Sequence, residues 1–177
     1  KLPAIFSDGM VLQQGRELPF WGTAEPGEKV RIAAAGKDAE TVADADGRWR
    51  LTLGALEPGG PVSVTVEGAN TIEIKDVYVG EVWVCSGQSN MQFAVQAAKT
   101  AKEAIAGADF PRIRQFGGRA HERWMVCSPK TAGRFSAVAF FFARELHKKR
   151  DVPVGILSTA VGGTPIRSWT SRAGYHG

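Results

Sequence analysis

Gly80-Glu81-Val82-Trp83-Val84-Cys85-Ser86-Gly87-Gln88-Ser89-Asn90-Met91 is the stretch whose reading decides the fold. An apolar strand runs into small polar residues, and an Ala-rich segment with Lys and Glu interspersed, Phe93 to Ala108, reads as a helix after it. Strand, tight turn and helix in that order open an α/β unit. A serine at the carboxyl end of such a strand lies near orphan backbone N–H groups and the positive end of a helix dipole, both suited to an oxyanion. Gly87 permits the turn, Ser89 is the natural nucleophile, and Gln88 and Asn90 flank it and shape the turn. The pattern is not the Gly-x-Ser-x-Gly elbow, because Met91 stands where the second Gly would be. A Ser-Gly-Gln-Ser-Asn turn is also an ordinary helix cap, and on spacing alone that plainer reading stays open.

Downstream, Ser136 is placed to cap a helix from Ala137 to about Lys149, with Val138, Phe141, Phe142 and Leu146 as its apolar residues. Lys148, Lys149 and Arg150 sit where the macrodipole favours cations, and Asp151-Val152-Pro153 ends the helix. Val154-Gly155-Ile156-Leu157 then reads as a fully buried strand, as does Val82 to Cys85. The segment after it, Ser158-Thr159-Ala160-Val161-Gly162-Gly163-Thr164-Pro165-Ile166, repeats the theme of small polar residues following a buried strand. Its plain reading is a loop needing φ > 0. Its sharper reading is a backbone donor that meets Ser89 in the crevice at the strand ends, where α/β sheets bind ligands. Neither Gly-rich stretch has the spacing of a P-loop or a dinucleotide site.

Upstream of about Val84 the texture is different. Short β-prone runs such as Glu28 to Ile32 and Pro61 to Val66 alternate with Gly, Pro, Asp and Asn, as in a small β-sandwich. Asp44-Ala45-Asp46-Gly47 reads as a hairpin turn between Glu40-Thr41-Val42 and Arg48 to Leu53. Trp21, Trp49 and Trp83 fall in strand patterns and are expected in the core. The expected division is a β-sandwich over residues 1–76 followed by an α/β region over 77–177.

The chain has 177 residues, 44% hydrophobic and 23% charged, with a net charge of +4, enough for one sizeable core or two modest ones. Its charges are scattered, without the basic blocks of a nucleic-acid binder, and no apolar run is long enough to span a bilayer. Cys85 and Cys127 are too few for a Cys-rich metal cluster, and Cys85, in an apolar strand, is expected to be structural rather than reactive.

Residues 80–91, Trp124 to Pro129, Arg134 to His147, and Pro153 to Ile156 with Gly162 to Ile166 together resemble the sialate O-acetylesterase family of SGNH hydrolases. The opening, Phe6 to Gln13 with Leu18 to Gly22, is similar to the N-terminal β-domain of those enzymes. The resemblance implies an N-terminal β-sandwich followed by the first half of a flavodoxin-like SGNH domain. It implies a carbohydrate O-acetylesterase, acting on 9-O-acetylated sialate or a like sugar through an acetyl-enzyme on Ser89, with no metal or cofactor. Ser89 N–H and an amide of the Gly162-Gly163 turn would contribute to the oxyanion hole, and the location would be periplasmic or extracellular.

In that family the base comes from an Asp-x-x-His motif, and neither His121, His147 nor His176 stands in one. His147 near a helix end is expected to be structural and His121 to lie in a polar loop. The chain is therefore expected to be the nucleophile-bearing half, paired with a second polypeptide that carries the His and completes the sheet. Two alternatives stand beside this: a non-catalytic carbohydrate-binding β-module with a degenerate α/β stub, its tryptophans stacking on sugars, and an acetylxylan-type esterase.

Overall fold

The computed structural model describes residues 1–117 and 122–175, the side chain of Tyr175 excepted, so His121 and His176 lie outside the described residues. In chain order the strands are β1 (Val11–Gln13), β2 (Leu18–Thr23), β3 (Lys29–Ala34), β4 (Lys37–Val42), β5 (Arg48–Leu53), β6 (Gly59–Glu67), β7 (Thr71–Cys85), β8 (Phe110–Gly117), β9 (Trp124–Cys127) and β10 (Val154–Ser158). The helices are α1 (Ser89–Gln92), α2 (Ala101–Ala106), α3 (Ala137–Arg150) and α4 (Arg172–Tyr175). One mixed sheet runs β4-β3-β6-β7-β10-β8-β9, with β1 added parallel to β7, and β2 pairs with β5 in a separate antiparallel ribbon.

Alternation explains the N-terminal packing. β5 reads exposed-buried throughout, and its Trp49, Leu51 and Leu53 share one core with Leu18 and Phe20 of β2 and with Ile32, Val64 and Ile74 of the larger sheet. The turn at Asp44 forms, with Asp44 Oδ1 accepting the amides of Asp46 and Arg48 and Gly47 at φ 71°. It does not close a hairpin, however. β4 pairs with β3 and β5 with β2, so the turn carries the chain from one sheet to the other.

β7 is fifteen residues long and serves both parts of the mixed sheet. It pairs with β6 up to Val79 and with β10 from Glu81 to Cys85. Between Ile74 and Val77 its register against β6 is irregular, and Asp76 takes φ 58°. Arg114 of β8 holds this kink. Its guanidinium, 3% exposed, donates to the Asp76 carbonyl at 2.6 Å and pairs with the Asp76 carboxylate at 2.9 Å.

β7, β10 and β8 are mutually parallel, and β10 is the centre of the three, buried at four of its five residues. Gly155 there lets β10 approach Val11, since a Cβ would come within 2.8 Å of the Val11 Cβ. The Val82 to Cys85 segment departs from expectation: Trp83 is 41% and Val84 67% exposed. Among the described residues this stretch has a strand neighbour on one side only, β10, which explains the exposure. Trp21 is likewise 41% exposed, whereas Trp49 is buried.

α3 forms as expected and Ser136 caps it, accepting the Ala139 amide at 3.3 Å. Its buried side is built from Ala137, Ala139, Phe140 and Ala143, while Val138 and Phe142 stay exposed, Phe142 packing edge-on against Trp83. The Phe93 to Ala108 segment is not one helix. It divides into a single 3-10 turn and α2, with Ala94 and Ala98 extended, because alanines without a sustained apolar stripe give little packing to a helix.

Candidate functional site

Ser89, Gly162 and Gly117 lie at or just beyond the carboxyl ends of β7, β10 and β8 respectively, which brings them to one crevice of 570 Å³. Ser89, Gln92, Gln115, Arg134, Ser136, Ser158 and Gly163 are among its lining residues. Ser89 and Gly162 are 73 positions apart in the sequence. In the fold they are neighbours: a Cβ added to Gly162 would lie 3.7 Å from the Ser89 Cα and 3.8 Å from its Cβ.

Three local features build the Ser89 segment. Gly87 takes φ 139°, a conformation that side-chain-bearing residues rarely adopt, and its carbonyl accepts the Val161 amide at 2.9 Å. Gln88 caps α1, its Oε1 accepting the Ser89 amide at 3.1 Å and the Ser89 hydroxyl at 2.8 Å. Gln92, one turn on, accepts the Gly162 amide through Oε1 at 2.9 Å. α1 is only a single turn, so it carries no appreciable macrodipole, and the polar groups it offers the crevice are individual amides and side chains. The Ser89 and Gly162 amides both donate to side-chain oxygens, those of Gln88 and Gln92.

Within the turn the two glycines differ. Gly163 takes φ 82° with open space around its Cα, whereas Gly162 lacks a positive φ and is crowded instead, with Gln92 Oε1 only 2.7 Å from where a Cβ would stand. Asn90 is exposed. On the other side of the Ser86–Gln88 turn a second groove of 450 Å³ is lined by Thr164, Ile166 and Trp169. Its Trp169 indole donates to Thr164 Oγ1 at 2.7 Å.

Several crevice residues carry no local sequence signal. Gln115 is 1% exposed inside β8, and its Oε1 accepts the Ser136 amide at 3.2 Å. An amide side chain in an otherwise β-prone run is the one hint the sequence offers. Arg134 is exposed, lines the crevice and makes no ion pair among the described residues.

His147, the described histidine, is not among the crevice residues. It lies in the last turn of α3, with its Nδ1 2.7 Å from the Val152 carbonyl. Both cysteines are buried free thiols. Burial raises the Cys85 pKa and pushes that of Cys127 up to about 12, so neither is poised as a thiolate. Among the described residues no helix is long and apolar enough to cross a membrane.

A family model described as carbohydrate esterase, sialic acid-specific acetylesterase matches residues 79–176. The sialate O-acetylesterase of Rattus norvegicus is 33% identical over 194 residues, covering 92% of this chain and 36% of that protein. The Homo sapiens sialate O-acetylesterase is 28% identical over 202 residues, covering 97% of this chain and 39% of that protein. A crystal structure of a carbohydrate acetylesterase from Xanthomonas citri matches with a TM-score of 0.91 and 35% identity, covering 98% of this chain and 43% of that one. The chain thus spans less than half the length of each of these relatives.

Proposed function

Since the chain belongs to the sialic acid-specific acetylesterase family of carbohydrate esterases, we propose that it carries the nucleophile of a sugar O-acetylesterase. The observation that carries the reading is the closeness of Ser89 to the Gly162 turn in one crevice at the carboxyl ends of parallel strands. Ser89 Oγ attacks the acetyl carbonyl, the alcohol of the sugar leaves with a proton, and water then releases acetate from the acetyl-serine. Oxyanion charge falls on the Ser89 amide and an amide of the Gly162-Gly163 turn once Gln88 and Gln92 give way.

A serine hydroxyl needs a base, and the described residues lining the crevice include no histidine. The base is supplied by a further polypeptide segment with an Asp-x-x-His motif, as the family resemblance implies, and the open side of Glu81–Cys85 is where its strands would add. The exposed Trp83, Val84, Val138 and Phe142 support that placement, because a completed sheet and helix layer would cover them. In this reading residues 1–76 form a β-sandwich and 77–177 the first half of a flavodoxin-like SGNH domain, in a periplasmic or extracellular protein.

The substrate is an acetylated acidic sugar of the sialate type. Arg134, at the crevice and without an ion pair among the described residues, offers a guanidinium to the sugar carboxylate, a group suited to bidentate pairing. The test is to incubate the protein carrying this chain with a chromogenic acetate and with O-acetylated sialic acid, then to measure intact mass after a rapid quench. Acetate release together with a transient gain of one acetyl group on the peptide containing Ser89 is expected. Hydrolysis that proceeds undiminished with Ser89→Ala would overturn the assignment.

A further inference from the structure

A further cleft, of 740 Å³, lies along the β2–β5 ribbon, remote in sequence from Ser89. Trp21, Arg48 and Arg50 are among its lining residues, with Lys1, Thr23 and Trp49. The ribbon's register sets their arrangement. Trp21 stands directly opposite Arg50 and Thr23 directly opposite Arg48, so all four side chains lie on one face. The inner residues, Phe20, Trp49 and Leu51, are buried in the core.

Two features of this face call for an account. Trp21 is 41% exposed although its edge-on packing with Phe6, at 4.6 Å between ring centroids, fixes the ring. A rigid, half-open indole is costly to leave in water and suits stacking against a sugar ring. Arg48 and Arg50 are both exposed, and among the described residues neither has an ion pair, whereas Arg31 on β3 is held by Asp38 and Glu67. Two such guanidiniums beside a flat apolar surface match a ligand that is itself a ring bearing a carboxylate.

We infer that this cleft is an accessory binding site for a carboxylate-bearing sugar, with Trp21 under the ring and Arg50, backed by Arg48, pairing with the carboxylate. The inference rests on the acidic-sugar reading above only for the class of ligand. Its geometry is independent of Ser89. An accessory site of this kind would hold an acidic glycan near the protein between encounters, raising the effective concentration of acetylated residues at the crevice.

The test uses 3′-sialyllactose, which has no O-acetyl group to hydrolyse, with lactose as the neutral comparison and inorganic phosphate as a bare anion. Binding to the protein carrying this chain is followed through the indole N–H resonance of Trp21, assigned by its loss in Trp21→Phe. Sialyllactose is expected to shift that resonance in a saturable way, weakening as salt rises. Arg50→Gln, on the exposed face where folding is undisturbed, is expected to weaken binding at least tenfold, with chromogenic acetate hydrolysis unchanged. Lactose binding as tightly as sialyllactose, phosphate reproducing the shift, or Arg50→Gln and Arg48→Gln together binding as wild type would each overturn the inference. Binding at this cleft in a protein without esterase activity would instead refute the proposed function and leave the accessory site standing.

Discussion

Gln92 Oε1 lies 2.9 Å from the Gly162 amide nitrogen, so the side chain of one short helix pins the turn after β10 against the serine segment after β7. The two segments are thus tied together across the crevice by a side-chain amide.

Ser89→Ala is expected to reduce ester hydrolysis by at least about a thousandfold, since removing a nucleophile leaves only binding and oxyanion stabilisation. Near-ultraviolet circular dichroism should be unchanged, because Ser89 is exposed and contributes nothing to either core.

The two glycines of the turn should separate by readout. Gly162→Ala places a methyl against Ser89 and Gln92 without backbone strain, so kcat/KM should fall at least about tenfold while the unfolding temperature holds. Gly163→Ala meets open space but forces a side chain to φ 82°, so it should cost about 1 kcal/mol in denaturant unfolding, with a smaller effect on rate. Equal behaviour of the two variants would show that the turn does not face the serine as described.

Arg114 and Asp76 give an ordered pair of substitutions. Asp76→Ala removes the carboxylate facing a guanidinium that is 3% exposed and puts Ala at φ 58°, at a cost of about 3 kcal/mol. Asp76→Asn keeps an acceptor and tolerates the left-handed backbone, so chemical denaturation should rank it clearly above Asp76→Ala.

Cys127 sets an alkaline limit. Its thiol titrates near 9 when unfolded and is pushed up to about 12 by burial in the native state, so above pH 9 the unfolded chain has lost the proton that the folded one keeps. Stability contributed by this group is full below pH 9 and is lost progressively as pH rises towards 12. Cys127→Ala should flatten that decline in pH-dependent thermal melts, and iodoacetamide at pH 8 should leave Cys127 unmodified until denaturant is added.

Elements whose signals are local are legible in the sequence. Ser136 and the basic last turn bound α3, four apolar residues bounded by Pro153 and Ser158 give β10, and the Asp44 turn follows from its Asx chemistry. Burial on both faces is not a local property. Val82 to Cys85 and Val154 to Leu157 look alike as apolar runs, yet of these two only the second, in β10, is flanked by strands on both sides among the described residues. The destination of β5 is equally hidden, because a turn specifies its own hydrogen bonds and not which sheet receives the next strand. Within the crevice Ser89 and the glycines stand out as a motif, whereas Gln92, Gln115 and Arg134 are single polar residues whose role arises only when β8, α1 and the segment before α3 converge.

One unbroken strand, β7, is gripped by β6 and β1 at one end and by β10 at the other. Beyond the Asp76 kink, alternation makes its register all-or-none: sliding that stretch by one residue would turn Val77 and Val79 out of the N-terminal core and reverse the side chains that follow up to Cys85. Pairing of β7 with β1 and β6 beyond that kink therefore proofreads where Ser89 comes to rest, and a register error made there would be carried on to the serine.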